Sequence, residues 1–141
     1  MSTLKNESML VSEIMLKQDA FPVLPEKTLF KEALEAMGRS NLGIACIVDA
    51  QEKLLGILTD GDIRRKLLRV QKPFSAFFVD DALIHSIRVP TTIRPSQTLI
   101  DGIELMEKKQ IWDLPVVDSS GKLVGLLHLH PVVQALLGIR V

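Results

Sequence analysis

Apolar and polar residues follow a helical period in two stretches of the chain, and the second stretch repeats the first. The apolar-face residues are Phe30, Ala33, Leu34 and Met37 in the first stretch and Leu99, Gly102, Ile103 and Met106 in the second. The first set follows the i, i+3, i+4, i+7 spacing of one helix face, and Leu99 lies 69 positions after Phe30. The pattern predicts helices over about residues 29–40, with Thr28 as the N-cap, and over about residues 98–109.

Short apolar runs follow each predicted helix and are separated by polar turns. The runs are Ile44–Val48 and Leu54–Leu58 in the first copy, and Leu114–Val117 and Leu123–Leu127 in the second. Because the turns Asp49–Glu52 and Asp118–Gly121 are so short, each pair of runs is predicted to form an antiparallel hairpin. A further helix is predicted from about residue 60 to residue 69, another near the end of the chain, and a short strand at Thr91–Arg94.

This repeat is stronger evidence for the domain organisation of the chain than any single residue is. Each copy is expected to be a β-α-β-β-α unit, which gives a mixed α/β (α+β) fold of two pseudo-symmetric repeats. The copies cover residues 9–70 and 91–138, and residues 71–90 form a linker whose proline and phenylalanine residues favour a packed segment. Since neither small copy buries enough apolar surface alone, we expect one compact module with two related clefts at the copy interface.

Composition and charge exclude several classes of function. The chain has 17 basic and 17 acidic residues and a formal net charge of zero, so no overall field attracts nucleic acid or an anionic membrane. No apolar stretch approaches the roughly 20 residues that span a bilayer, and the first ten residues do not resemble a secretory signal. The single cysteine, Cys46, lies in an apolar run and suits a reduced thiol. A soluble cytoplasmic protein is expected.

The doubled order of helix, strand, Asp, turn and Gly-containing strand resembles a tandem pair of cystathionine-β-synthase-type (CBS) domains over about residues 9–138. Four segments resemble more closely the CBS pair at the carboxyl end of bacterial arabinose-5-phosphate isomerases, and they are Val11–Met15, Asn41–Gly43, Gly56–Arg65 and Leu126–His130. The resemblance implies a regulatory module, with catalysis in a sugar-isomerase domain that this sequence lacks. The chain would be either the regulatory end of such a protein or a free-standing relative.

The resemblance also implies a binding site in the first copy. In CBS pairs that bind adenosine nucleotides, a Gly-x-x-Thr-x-x-Asp pattern places Thr or Ser on phosphate and Asp on the ribose hydroxyls. Gly56, Thr59 and Asp62 match that pattern. The implied regulatory ligand is an adenosine nucleotide or a nucleotide-sugar such as CMP-Kdo, and no catalytic cofactor is implied.

The residues around this motif suit the same ligand. A strand-to-helix junction at Asp60 and Gly61 offers backbone N–H groups and a positive helix end to a phosphate. Arg64 and Arg65 can add charge-assisted hydrogen bonds. In the alternative interpretation, Asp60 and Asp62 only stabilise the first helical turn, and the arginines form a solvated face.

The second copy departs from the pattern at the same junction. His128 stands where the first copy has Thr59, and Pro131 stands where it has Asp62. Proline cannot hold a ribose diol, although it suits the first turn of a helix, so we expect asymmetric sites. His128 and His130 would share a face if both lay on the strand, as two metal ligands could. Because no third ligand is evident, imidazoles that face the cleft or pack with a satisfied hydrogen bond are favoured.

Two aromatic residues are further candidates for the cleft. Trp112 precedes a predicted core strand, and Phe21 lies in the predicted first strand. Either ring can stack on a base or pack at a copy or dimer interface.

No arrangement in the sequence supports catalysis on this chain. It has no nucleophile with a nearby base, no Gly-x-x-x-x-Gly-Lys loop and no dinucleotide fingerprint. The favoured function is a regulatory pair whose ligand shifts the copies and so controls an attached or partner sugar-phosphate isomerase of lipopolysaccharide synthesis. The alternatives are a homodimerising interaction module without a ligand and a metal sensor built on His128 and His130. By the same resemblance, a homodimer is expected.

Overall fold

Two similar β-hairpins organise the structure, one in each copy of the sequence repeat. A computed structural model describes residues 4–139, which divide into two compact units. We call residues 19–90 the continuous unit, and residues 4–18 together with 91–139 the split unit. Both units mix helices and strands, as the sequence predicts.

The continuous unit contains a three-stranded sheet covered by helices. Its elements are β1 (Val23–Pro25), α2 (Phe30–Ser40), β2 (Ile44–Val48), β3 (Leu54–Thr59) and α3 (Asp60–Arg69). Strand β2 lies between the other two, parallel to β1 and antiparallel to β3. The core of this unit is formed by Phe30, Ala33, Met37, Ala45, Ile47, Leu58, Phe77 and Ala82.

The split unit has the same hairpin but a shorter sheet. Its elements are α1 (Val11–Ile14), α4 (Leu99–Lys109), β4 (Asp113–Val117), β5 (Leu123–His128) and α5 (Leu129–Leu137). The strand predicted at Thr91–Arg94 is reduced to one parallel bridge between Ile93 and Val116. Pro95, which follows this segment, has no amide hydrogen with which to extend the ladder. The core consists of Val11, Ile93, Leu99, Met106, Leu114, Val116, Leu127, Val132 and Leu136.

The structural repeat confirms the repeat in the sequence at the level of strand register. Ile44 pairs with Thr59 in the first hairpin, and Asp113 pairs with His128 at the corresponding place in the second. Each hairpin has a register shift at its last pair. The side chain of Asp49 accepts hydrogen bonds from the backbone in the first turn, and that of Asp118 does so in the second. The same turn chemistry therefore sets both registers.

Each hairpin is completed by a segment from outside its own sequence copy. Backbone hydrogen bonds join Ile57 of β3 to Ile87, and Leu126 of β5 to Leu16. A side chain at Gly56 would collide with Ser86, and one at Gly125 would place its Cβ 2.8 Å from the Leu16 carbonyl oxygen. Glycine is needed at both positions because a backbone segment lies directly against the strand.

The predicted N-cap of the first long helix is wrong by one residue. Leu29, and not Thr28, is the N-cap of α2. The Thr28 hydroxyl donates to the Pro25 carbonyl oxygen at 2.7 Å, while the Leu29 amide donates to the Glu32 carboxylate at 2.9 Å. The hydroxyl is therefore used to close the turn after β1, and a carboxylate from inside the helix satisfies the amide instead.

Residues 71–90 pack as part of the continuous unit. They form two short 3-10 helices, over Phe74–Phe77 and Ala82–His85. His85 Nε2 lies 2.8 Å from Asp80 Oδ2, and this hydrogen bond lowers the pKa of the Asp80 carboxyl. The other ring nitrogen of His85 is buried and has no hydrogen-bond partner in the part of the chain that the structure describes.

Between residues 4 and 139, every helix is too short or too polar to cross a bilayer.

Candidate functional site

The predicted binding motif forms the junction between β3 and α3. Thr59 is the N-cap of α3, with extended backbone angles, and its hydroxyl oxygen accepts a hydrogen bond from the Asp62 amide at 3.2 Å. The same hydroxyl donates to Asp62 Oδ2 at 2.5 Å. These two residues therefore form a closed pair at the start of the helix, and the Thr59 hydroxyl already has an acceptor.

Arg65 occupies the other oxygen of the Asp62 carboxylate. Its guanidinium Nη2 donates to Asp62 Oδ1 at 2.7 Å, and the side chains of Asp62 and Arg65 are 25% and 61% exposed. Arg64 is exposed and forms no ion pair with any residue in the described range 4–139. The two adjacent arginines predicted for the site thus have different surroundings.

The two residues between Thr59 and Asp62 serve the junction in different ways. The Asp60 amide donates to the Gly43 carbonyl oxygen at 3.1 Å, and its carboxylate lies where a side chain at position 43 would be, 2.8 Å from an ideal Cβ. Gly61 lies under the Arg65 guanidinium, whose Nη1 is 3.2 Å from an ideal Cβ at position 61. Asp60 therefore ties the helix to the start of β2, and Gly61 leaves room for the arginine over the first helical turn.

An open depression of about 280 Å³ lies in the same unit. Its lining residues are Asp19, Ala20, Phe21, Pro22, Ala36, Arg39 and Ser40. Phe21 is only 5% exposed and lies two residues before β1, so its predicted place in the first strand is wrong. Pro22 N-terminal to β1 removes an amide that a longer ladder would need.

The depression and the junction lie at the same end of the sheet. Strands β1 and β2 are parallel, so both begin at this end, where Val23 pairs with Cys46 and where Ile44 pairs with Thr59. Antiparallel β3 ends there. The segment that leads into β1 and the junction that leaves β3 therefore lie at the same edge of the sheet, on either side of β2. The sequence contains no signal for Arg39 or Ser40, because only the fold brings the end of α2 to this edge.

In the second copy, the corresponding junction contains a histidine–carboxylate pair. His128 Nδ1 lies 2.7 Å from Asp113 Oδ1, and both side chains are partly buried. Burial raises the pKa of the Asp113 carboxyl, and the hydrogen bond with His128 partly offsets this effect. No threonine–aspartate pair forms here, as the substitutions at positions 128 and 131 predict.

His130 does not share a strand face with His128. Strand β5 ends at His128, and His130 is an exposed residue in the first turn of α5. Pro131 is also in that turn, where its missing amide hydrogen costs little, so the helix begins early enough to take His130 off the strand. Within residues 4–139, no group of three His, Cys, Asp or Glu side chains is arranged to hold a metal ion.

Trp112 immediately precedes β4 and is 70% exposed. Its carbonyl oxygen accepts a hydrogen bond from the Leu129 amide at 2.9 Å, which ties the start of β4 to the start of α5. Trp112, His128 and His130 thus belong to the split unit, and the other predicted site residues belong to the continuous unit.

Asp113→Asn is expected to become more stable relative to the original chain as the pH rises from about 4 to 7. Because the pKa of Asp113 is raised in the folded state, its stabilising contribution is full below the unfolded value and is lost as the pH rises through the folded value. Asparagine cannot ionise and avoids this loss, which amounts to about 1.4 kcal/mol for each pH unit between the two pKa values. Urea unfolding across this pH range measures the difference.

Asp118→Asn is the matched control for that measurement. The hydrogen bond from Ser120 is the main cause of the lowered pKa of Asp118, so its carboxylate stabilises the fold above the unfolded pKa and loses that contribution as the pH falls. The control should therefore become less stable relative to the original chain as the pH rises. Equal slopes for the two variants would contradict the assignment.

Comparisons with known proteins agree with this architecture. The sequence profile of the CBS domain matches residues 11–69 and 80–138. The arabinose 5-phosphate isomerase GutQ of Escherichia coli strain K12 is 32% identical over 128 residues, which are 89% of this chain and 37% of that enzyme. An uncharacterized protein of Helicobacter pylori is 31% identical over 126 residues, or 85% of this chain and 35% of that protein. The chain thus spans little more than a third of these relatives.

A solved structure has the same fold. The crystal structure of CBSX2 in complex with AMP superimposes with a TM-score of 0.77 at 27% sequence identity, and the match covers 89% of this chain and 94% of that one. CBSX2 is a CBS-pair protein from Arabidopsis thaliana.

Proposed function

This chain belongs to the CBS domain family as a regulatory, ligand-binding CBS pair, and from that premise we propose that it senses a nucleotide or nucleotide-sugar at the Thr59–Asp62 junction. The ligand would be an adenosine nucleotide or a compound such as CMP-Kdo. The chain itself would carry out no reaction. Its output would be a ligand-dependent change of conformation that an attached or partner domain responds to.

The observation that carries this proposal is the position of the Asp62 carboxylate. It is one-quarter exposed, stands at the amino end of a ten-residue helix, and lies at the sheet end that also borders the depression. A carboxylate with this exposure can accept two vicinal hydroxyl groups, a helix amino end favours phosphate, and the depression beside Phe21 has room for a base. AMP bound to CBSX2 supports the same ligand class.

We further propose that the regulated activity is a sugar-phosphate isomerase of the arabinose-5-phosphate type, which would place this chain in cytoplasmic lipopolysaccharide synthesis. The similarity to GutQ supports this proposal. Because this chain matches 37% of the enzyme, the isomerase would be supplied by another part of the same protein or by a partner.

Thermal unfolding in the presence of a ligand panel tests the proposed function. The panel contains AMP, ADP, ATP, CMP, CMP-Kdo and arabinose 5-phosphate. We expect at least one nucleotide-type ligand to raise the melting temperature, since a ligand present at 100 times its Kd stabilises the folded state by about 2.7 kcal/mol. Asp62→Ala should remove that increase.

Asp101→Ala is the matched control variant. Asp101 is the third residue of α4, as Asp62 is of α3, and it also accepts a hydrogen bond from the N-cap residue of its helix. Its loss should lower the melting temperature of the free protein but preserve the ligand-induced increase. A flat response of the original chain to the whole panel would contradict the proposed function.

The second candidate is a homodimerising interaction module, in which exposed apolar side chains would form the contact surface. Leu68 of α3 is 80% exposed, and Leu137 at the end of α5 is 56% exposed. Such side chains are common in protein interfaces when they form part of a patch. This candidate predicts a dimer in analytical ultracentrifugation, together with no response to the ligand panel.

A further inference from the structure

We infer that Arg65 makes the proposed site selective for phosphorylated ligands. Its guanidinium is paired with the Asp62 carboxylate in the free protein and moves to the ligand phosphate on binding. This inference rests on the proposed function. It adds that a ligand must displace the Arg65 guanidinium from Asp62. It also distinguishes Arg65, which is paired with Asp62, from the adjacent Arg64, which has no ion pair within the described residues.

Both oxygens of the Asp62 carboxylate have internal partners. Arg65 donates to Oδ1 at 2.7 Å, and the Thr59 hydroxyl donates to Oδ2 at 2.5 Å. A ribose diol donates two hydrogen bonds and competes for the same acceptor oxygens. The Thr59 hydroxyl can rotate to another acceptor, whereas Arg65 must move its whole guanidinium group. Arg65 is therefore the larger obstacle to a sugar at Asp62.

Arg65 is free to leave Asp62 and lies close to the place where a phosphate would bind. The side chain is 61% exposed, and an exposed ion pair is weak enough for a ligand to break. The guanidinium lies over Gly61, with Nη1 3.2 Å from the ideal Cβ position, so it already lies beside the amino end of α3. A phosphate bound at that end would be within reach of a short movement, and it would offer bidentate acceptors that suit arginine.

The exchange discriminates between ligands with and without a phosphate. A nucleoside would break the Asp62–Arg65 pair and leave Arg65 with no anionic partner. A nucleotide would break the same pair but give Arg65 a phosphate in return. Both ligands must therefore break the Asp62–Arg65 ion pair, but only the phosphorylated ligand offsets this loss, because it forms a new ion pair with Arg65.

Isothermal titration with AMP and adenosine tests this inference on the full chain and on two variants. Arg65→Ala should bind adenosine about two- to fivefold more tightly, because removal of a weak ion pair frees Asp62 Oδ1. The same variant should bind AMP about tenfold or more weakly, because a charge-assisted hydrogen bond to the phosphate is lost. Arg69→Ala removes the same charge from the last turn of the same helix, at the end away from the proposed site, and we expect both its affinities to change by less than about twofold.

The outcomes separate this inference from the proposed function. If AMP binds the original chain but Arg65→Ala changes both affinities by the same factor, the transfer of Arg65 is wrong and the proposed function stands. If Arg69→Ala reproduces the effects of Arg65→Ala, general electrostatic attraction replaces the specific pair, and the inference is also wrong. If the original chain binds neither AMP nor adenosine and the nucleotide panel is also without effect, the proposed function fails and the inference fails with it.

Discussion

Phe77→Ala is expected to lower the free energy of unfolding of the continuous unit by about 3–5 kcal/mol. Phe77 is 1% exposed, although it lies in the segment that joins the two sequence copies. Its ring is 6.1 Å from that of Phe30 and 5.3 Å from that of His85, and the Lys72 ammonium lies 4.5 Å from its centroid. Truncation would leave a cavity and would let water approach His85, so chemical denaturation should show a large loss of stability.

Phe74→Ala is the control for the loss of an aromatic ring from the same segment. Phe74 is 46% exposed and its ring contacts that of Phe78, at a centroid distance of 5.1 Å. We expect a loss of less than about 1.5 kcal/mol, because a half-exposed ring buries less area and leaves no closed cavity. Similar losses for the two variants would mean that the segment is not a specific part of the core.

Gly125→Ala is expected to destabilise the split unit by about 1–3 kcal/mol or more. An alanine Cβ at this position would lie 2.8 Å from the Leu16 carbonyl oxygen. That oxygen accepts from the Leu126 amide at 3.0 Å, and the Leu16 amide donates to the Leu126 carbonyl oxygen at 2.8 Å. The Leu16 backbone is held by these hydrogen bonds, so the collision can be relieved only if the segment around Leu16 moves away from β5.

Gly38→Ala provides the opposite result from the same chemical change. Gly38 lies inside α2, and an ideal Cβ there has nothing within 4 Å. Alanine should stabilise this helix by about 0.5–1 kcal/mol, since it lowers the conformational entropy of the unfolded chain. Urea unfolding of both variants measures the contrast. If Gly125→Ala stabilised the protein, the segment around Leu16 would not be held against β5.

The sequence repeat was sufficient to predict most of the secondary structure. Hydrophobic periodicity and short turns are local properties, and two copies that agree reinforce one another, as at Ile44–Val48, where the predicted and observed strands coincide. The least accurate prediction was the strand at Thr91–Arg94, which depends on a partner distant in sequence and is followed directly by Pro95. Assignment of Thr28 as an N-cap failed because its hydroxyl donates to the Pro25 carbonyl oxygen, while the Glu32 carboxylate accepts from the Leu29 amide.

The candidate site was less predictable than the fold. The pattern of Thr59 and Asp62 placed both residues at one junction, but it gave no indication that each would be the other's hydrogen-bond partner. Arg64 and Arg65 are identical in type and adjacent in sequence, yet only Arg65 is oriented along the helix towards Asp62. Side-chain competition of this kind depends on three-dimensional geometry, as does the depression at Phe21, whose lining comes from two separate segments.

The completion of each hairpin by a segment from elsewhere in the chain determines how the protein can fold during synthesis. All residues of the continuous unit have been made once residue 90 has left the ribosome, so its internal hydrogen bonds can begin to form while the remaining residues are still being made. The split unit must wait until residue 136 has been made, because the Lys5 amide donates to the Leu136 carbonyl oxygen. Because this unit joins residues 4–18 to residues 91–139, its contacts are distant in sequence, and we expect it to form more slowly than the continuous unit. Residues 4–18 are thus made well before the partners in residues 91–139 with which they form one unit.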